Sequence, residues 1–356
     1  MRRRHATLLT LSSLAVAAGA PSSVSAKPVR LTIEVNGDLL IHEPVWQRAA
    51  TLADGGGYDF APMLRRIRPH VSGADLALCH VETPMTHAPP AGYPVFNTPP
   101  ALARAIRKTG WDSCSTASNH TLDQGQAGVE GTLRALNHAG VRHAGSAGSA
   151  RRARKITILR ARGVKVAHLA YTASTNGIAL PHRYSVRLAG ADRIKRDARR
   201  ARRLGAQAVI VNLHWGTEYQ HAPDAAQRRL VDQLAAARAI TAIVGQHAHV
   251  VQPIRRPGGR WVVYGEGNLL SNQTAACCPA ATQDGMLALL HLRVDGNRSR
   301  VKRVTYVPTW VRHPDYTVLP VRAALRGGSA NEAELRASWA RTVGVVGRSR
   351  HLWPTG

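Results

Sequence analysis

The sequence predicts an α/β fold, a mostly two-sided sheet with helices packed on it. Three observations carry that expectation. Short apolar runs repeatedly precede stretches with helical spacing. Apolar residues make up 44% of 356 residues, enough for a substantial core. The polar residues able to hold a metal stand just past the ends of the apolar runs, as ligands do along one edge of an open α/β sheet.

The elements follow in chain order. VRLTIEVNG (29–37) reads as the first strand and DFAPMLRRIRPHV (59–71) as the helix after it. DLALCHVE (75–82) is a second strand, and prolines crowd the loop 87–100 before the helix ALARAIRKTG (101–110). WDSCSTAS (111–118) is a third strand, and the helix from Gln124 stops at Gly140, a common helix end. Residues 155–172 form a hairpin about Arg162-Gly163. AVIVNLHW and ITAIVGQH are buried strands flanking a helix over 223–238, and RWVVYGEGN is another strand. Residues 285–308 alternate and turn at Asp295-Gly296-Asn297, a hairpin signal. From about Arg322 the chain is polar and weakly helical, so 27–321 is expected to be the domain and 322–356 an appendage.

Residues 1–26 have the layout of a cleaved secretory signal: Arg2, Arg3 and Arg4, an uncharged apolar run, then Val24-Ser25-Ala26. An uncleaved membrane anchor is the alternative, although the run is short for a span. The expected location is outside the cytoplasm. Net charge is +27, of which Arg2–Arg4 carry three, so the chain after Ala26 holds +24. That sign favours an anionic polymer, a phosphorylated or glutamyl substrate, or the cell-envelope surface as partner. Nucleic acid is not expected, since aromatics are only 5% and no base-reading motif is present. Cys79 and Cys114 lie in apolar strands, where cysteine commonly serves as a small buried hydrophobe. With Cys277 and Cys278, three disulfide pairings are open.

Chemistry collects at the strand ends. Asp38, Glu82, Asn119, His214, His247 and His249 are candidate metal ligands, because imidazole, carboxylate and amide oxygen together suit one or two divalent ions of the Mn, Zn, Fe or Mg type. Glu82 can bridge two ions, and His247 and His249 are expected on the same side of an extended segment. Two ions would activate a water and steady an in-line displacement. His120 is the candidate general acid, with Asp123 three residues later to orient it. Trp215, Glu218, Gln246 and Asn268 share the same edge and are expected to meet substrate. A single histidine at a strand end is more often a surface or hydrogen-bonded residue. The coincidence of the whole set is what points to a site.

This set resembles the CapA family, named for the poly-gamma-glutamate capsule synthesis protein and related in fold to calcineurin-like metallophosphoesterases. The motifs that carry the resemblance are Gly37-Asp38, His80-Val81-Glu82-Thr83-Pro84, Ser118-Asn119-His120-Thr121-Leu122-Asp123-Gln124-Gly125, His214-Trp215-Gly216-Thr217-Glu218, Gly245-Gln246-His247-Ala248-His249 and Tyr264-Gly265-Glu266-Gly267-Asn268-Leu269. They correspond to family forms GD, NLETP, NNHTLDYG, HWGxE, GHHPH and YSLGNF, and the resemblance runs from about Leu31 to Asn268 and on toward Val311. It implies a four-layer α/β/β/α sandwich with a metal site at the strand ends, Glu82 as bridge and His120 as proton donor. Two departures stand out: the first strand offers Asp38 without an Asp-x-His pair, and Gln246 replaces the first histidine of GHHPH. The resemblance implies a metal-dependent hydrolase or transferase acting on an anionic envelope polymer of the poly-gamma-glutamate type. The alternatives are a non-catalytic subunit that binds or assembles that polymer and, third, a metal-dependent peptide epimerase.

Overall fold

Alternating apolar residues fold into strands β1 (Val29–Leu39), β2 (Leu76–Val81), β3 (Ser113–Ser115), β4 (Arg142–Ala144), β5 (Thr157–Ala161), β6 (Val164–Thr172), β7 (Ala208–His214) and β8 (Ala242–Gln246). The series continues with β9 (Ile254–Arg255), β10 (Trp261–Val263), β11 (Asn268–Leu270), β12 (Asp284–Asp295), β13 (Arg298–Arg312), β14 (Thr317–Pro320) and β15 (Leu352–Pro354). This computed structural model describes residues 27–356, so the expected signal segment 1–26 lies outside the described residues. Among the described residues, no helix is long and apolar enough to cross a membrane.

The strands form two sheets. One runs β14-β13-β12-β1-β2-β3-β4, with β11 also on β1 and β15 on β13; the other runs β5-β6-β7-β8-β10-β9. Ile33, Val35 and Leu78 of the first meet Val166, Ile210 and Val244 of the second in an apolar layer between the sheets. On the outer face of the first sheet, Leu39 and Cys79 pack against Leu64, Leu102 and Ile106 of helices. On the outer face of the second, Val211 and Leu213 meet Ile194, Ala198, Val231 and Leu234. These three apolar seams make the α/β/β/α order, and each buried aliphatic side chain contributes about 1.5–3 kcal/mol to it.

Most strands stand where the residue pattern puts them, and both hairpins are present, with Arg162, Gly163 and Gly296 at positive φ in their turns. The helix expected over 59–71 is instead two short ones, Ala61–Leu64 and Arg68–Ser72. Pro69 has no N–H to continue the ladder, so the chain restarts there. A further helix, Glu43–Thr51, leads into them. Cys79 and Cys114 are register partners on β2 and β3 and form a disulfide, rather than serving as two separate buried thiols. Cys277 and Cys278 are free.

The stretch read as an appendage is packed on the sheet. Helix Glu332–Val346 buries Leu335, Ser338, Thr342 and Val346, and β15 pairs in parallel with β13. Arg341 holds buried Asp284 through two hydrogen bonds of 2.7 and 2.9 Å. Two of the four residues on that buried face are hydroxyls, which hides the helical stripe from any reading of apolar spacing.

Candidate metal centre

The centre lies where the two sheets meet at their strand ends. The first sheet supplies Asp38 near the end of β1, Glu82 directly after β2 and Asn119 in the loop after β3. The second supplies His214, the last residue of β7, and His247 and His249 just past β8. Two glycines allow the approach. A Cβ on Gly37 would fall 1.9 Å from Gly267 O, and one on Gly245 would fall 2.0 Å from Tyr264 O. Asp38 N then bonds Gly267 O at 3.0 Å, tying the backbone of Asp38 to that of Gly267.

The six expected ligands converge. His249 Nδ1 is 3.3 Å from Asp38 Oδ2, and its Nε2 is 3.8 Å from Glu82 Oε1. His214 Nε2 is 3.7 Å from Glu82 Oε1 and 2.8 Å from Asn119 Oδ1. Ligand atoms of Glu82, His214 and His247 form one group and those of Asp38, Glu82 and His249 another, each within 4.8 Å. Glu82 belongs to both, as a bridging carboxylate would.

The chemistry of the donors fits a divalent metal. Both carboxylate oxygens of Glu82 and the Nδ1 atoms of His214 and His247 are buried without a hydrogen-bond partner. Buried polar atoms are nearly always paired, since each orphan costs about 1–3 kcal/mol. Orphans clustered from three separate segments are therefore donors arranged for a cation. Electrostatics agree: burial, then Asp38, pushes the Glu82 carboxyl well above the usual range. Burial opposes charge on His249, but Glu82 and Asp38 overrule it and hold the imidazolium up to about 9. Without a metal, a proton does the neutralising that a bound cation would do.

The loop geometry differs from expectation. His247 and His249 are not on an extended segment; both have left-handed backbones, φ 96° and 56°, a strained conformation that functional loops tolerate. Ala248 tucks into an apolar pocket with Val250 and Ala281 while the two imidazoles face the centre.

His120 sits beside the centre with Nδ1 2.8 Å from Asp123 Oδ2, and Asp123 also accepts the Phe96 N–H at 2.8 Å. The Phe96 ring meets the imidazole edge-on. Of the residues expected to meet substrate, Glu218 is exposed and shares a ligand-distance group with His247 and His249. The other three are placed elsewhere. Trp215 is buried, donates to Tyr264 O at 2.9 Å and stacks on its ring, so it packs the outer seam. Gln246 is fully buried and donates to Glu266 at 2.8 Å, beneath the crevice rather than in it. Asn268 is buried with Oδ1 3.0 Å from His249 Nδ1, and thus positions that ring.

One residue at the centre escaped sequence reasoning. His80 is fully buried and stacked on His214, with ring centroids 4.8 Å apart. Its signal was the spacing to Glu82: residues two apart on a strand share a face.

A two-sheet α/β/β/α sandwich with carboxylate, amide and imidazole donors at one edge is the architecture of metallophosphoesterases, and solved structures agree on the fold. The chain is similar to the calcineurin-like phosphoesterase YfkN of Bacillus subtilis, with TM-score 0.50, 15% identity, and 88% of this chain and 99% of that one covered. It is similar in the same way to the NAD nucleotidase NadN of Haemophilus influenzae, with TM-score 0.50, 11% identity, and 92% and 64% covered. The chain belongs to the bacterial capsule synthesis protein PGA_cap family, whose model matches residues 32–273. Curated relatives include the capsule biosynthesis protein CapA of Bacillus anthracis, 24% identical over 278 residues, covering 75% of this chain and 65% of that protein. The PGA biosynthesis protein CapA of Bacillus subtilis is 29% identical over 195 residues, covering 54% and 50%. The chain thus spans about half to two thirds of the length of these relatives.

Proposed function

We propose that the protein is an extracytoplasmic, metal-dependent hydrolase or transferase acting on an anionic envelope polymer of the poly-gamma-glutamate type. The observation that carries this reading is the junction of a centre rich in orphaned donors with a histidine oriented by a carboxylate, His120 and Asp123. Family membership, the names of the CapA relatives and the basic charge support the choice of polymer, and the Arg2–Ala26 layout supports export. Asp38, Glu82, Asn119, His214, His247 and His249 would hold one or two divalent ions, which when bound supply Lewis-acid polarisation and charge stabilisation. His120, with Nδ1 committed to Asp123, offers Nε2 to the leaving group. For a glutamyl amide, water adds to the carbonyl carbon, the C–N bond breaks, the proton of Nε2 passes to the departing amine, and the proton given up by the water returns to Nε2. Glu218, exposed beside His247, is placed to meet the polymer. The test is elemental analysis of the purified protein alongside a panel of phosphoester and glutamyl-peptide substrates. Metal in the protein and turnover that disappears on chelation support the reading; full activity of metal-free protein overturns it.

A second reading is favoured by the charge of +27, which is +24 once Arg2, Arg3 and Arg4 are removed. Here the protein binds or assembles the polymer without catalysis. Polymer binding would then weaken steeply with salt and biological effect would survive His120→Ala.

A further inference from the structure

The family motif that contains Glu82 begins in this chain with a histidine, His80, and the structure gives that side chain no ordinary role. It is completely buried, and neither ring nitrogen has a hydrogen-bond partner. A buried imidazole is normally paired at one nitrogen at least. Packing alone does not account for it, because the neighbours at its polar edge are themselves donors for a cation.

The backbone is arranged to put His80 there. A register shift in the β1–β2 pairing between Val35 and Asp38 sets Asp38 directly opposite His80. As a result His80 Nε2 is 3.7 Å from Asp38 Oδ1. From the other sheet, His214 Nδ1 approaches the same carboxylate oxygen at 4.0 Å, and it too has no hydrogen-bond partner. His214 Nε2 lies 2.8 Å from Asn119 Oδ1, an acceptor, so that nitrogen carries the proton and Nδ1 presents its lone pair toward Asp38 and His80. Donors about 2.1 Å from one ion are separated by no more than about 4.2 Å, and both distances fall inside that limit.

We propose that His80 is a metal ligand, completing with Asp38 and His214 Nδ1 a buried three-donor cation position on the floor of the crevice. Two imidazoles and one carboxylate select a transition ion such as Zn2+ over Mg2+. His80 thereby supplies the imidazole that the first strand, with Asp38 and no neighbouring histidine, does not provide. The inference rests on the reading of this crevice as a metal centre.

The test uses the intact protein and Zn2+ as the probe. Stoichiometry and affinity are measured by equilibrium dialysis for the natural protein and for His80→Ala and His80→Gln, with circular dichroism as the check on folding. The expected result is folded variants that bind one Zn2+ at least tenfold more weakly or lose it. Crystals of the natural protein with Zn2+ cover the case in which the variants fail to fold: an anomalous peak about 2.1 Å from His80 Nε2 is expected. Zn2+ binding by folded variants that equals the natural protein's, or a Zn2+ peak at Glu82 and His247 with none at His80, overturns the proposal while leaving the metal centre intact. A natural protein that takes up no Zn2+, Mn2+ or Fe2+ overturns the metal centre itself and His80's role with it.

Discussion

His120 Nδ1 and Asp123 Oδ2 stand 2.8 Å apart, and the same carboxylate oxygen is held by the Phe96 N–H. The carboxylate is thus anchored from a different loop before it orients the ring. His120→Ala is expected to lower turnover on a cleaved substrate by about 10²- to 10⁴-fold with metal content unchanged. Asp123→Ala should lose a smaller part of that rate, since the imidazole remains and only its orientation is freed. Steady-state kinetics with metal analysis check both; loss of metal in His120→Ala would make it a ligand instead.

Chelation should lower the melting temperature and metal should restore it, because a cation that binds only the folded chain stabilises it. At free metal about 100-fold above Kd the gain is about 2.7 kcal/mol per site. Glu82→Ala, which removes the donor common to two ligand groups, should abolish most of the response. Calorimetric melts with and without Mn2+ or Zn2+ measure it.

Asp284 is buried and Arg341 is its cation. Arg341→Ala strands the carboxylate and is expected to cost about 3 kcal/mol in urea unfolding, the lower end for a buried pair because Arg341 is partly exposed. The double variant Arg341→Ala with Asp284→Ala should recover part of that loss. A cost near zero would show the C-terminal helix to be held by its apolar contacts alone.

A thiol count under denaturing, non-reducing conditions should find two reactive cysteines, Cys277 and Cys278, not four. The bond between Cys79 and Cys114 closes a sequence separation of 35 residues, and removing it by Cys79→Ala with Cys114→Ala should cost about 2–4 kcal/mol.

Acid should destabilise the metal-free protein earlier than its carboxylates alone would. Burial lowers His42, His143 and His168 to about 4 from 6.5, and His168 is enclosed between Ser113 and Asn212. A histidine depressed in the folded state contributes stability that is fully present above 6.5, the unfolded value, and declines as pH falls toward 4. Urea midpoints taken at pH 7, 6, 5 and 4 should therefore fall through that window. A flat profile from 7 to 5 would contradict the burial of these rings.

Much of the site was legible because strand ends can be located from apolar runs, and a sheet edge gathers whatever follows them. Asp38, Glu82, Asn119, His214, His247 and His249 are picked out as candidates by that pattern, and the structure brings them to one edge. What escaped depended on features the pattern does not encode. The register shift that brings His80 opposite Asp38 is a property of strand pairing. Trp215 and Gln246 sit in motifs beside ligands, yet alternation along and past the strand turns them inward, away from the crevice. The C-terminal helix packs on the sheet through Ser338 and Thr342 as well as Leu335 and Val346, a face that reads as surface in composition.

The division of the donors between the two sheets has a mechanical consequence. Asp38 and Glu82 come from one sheet and His214 and His249 from the other, so a cation shared among them would act as a rivet through both. Sliding one sheet across the other by an ångström would pull Asp38 and Glu82 out of reach of His214 and His249. Loading with metal would then report that the two halves have docked correctly.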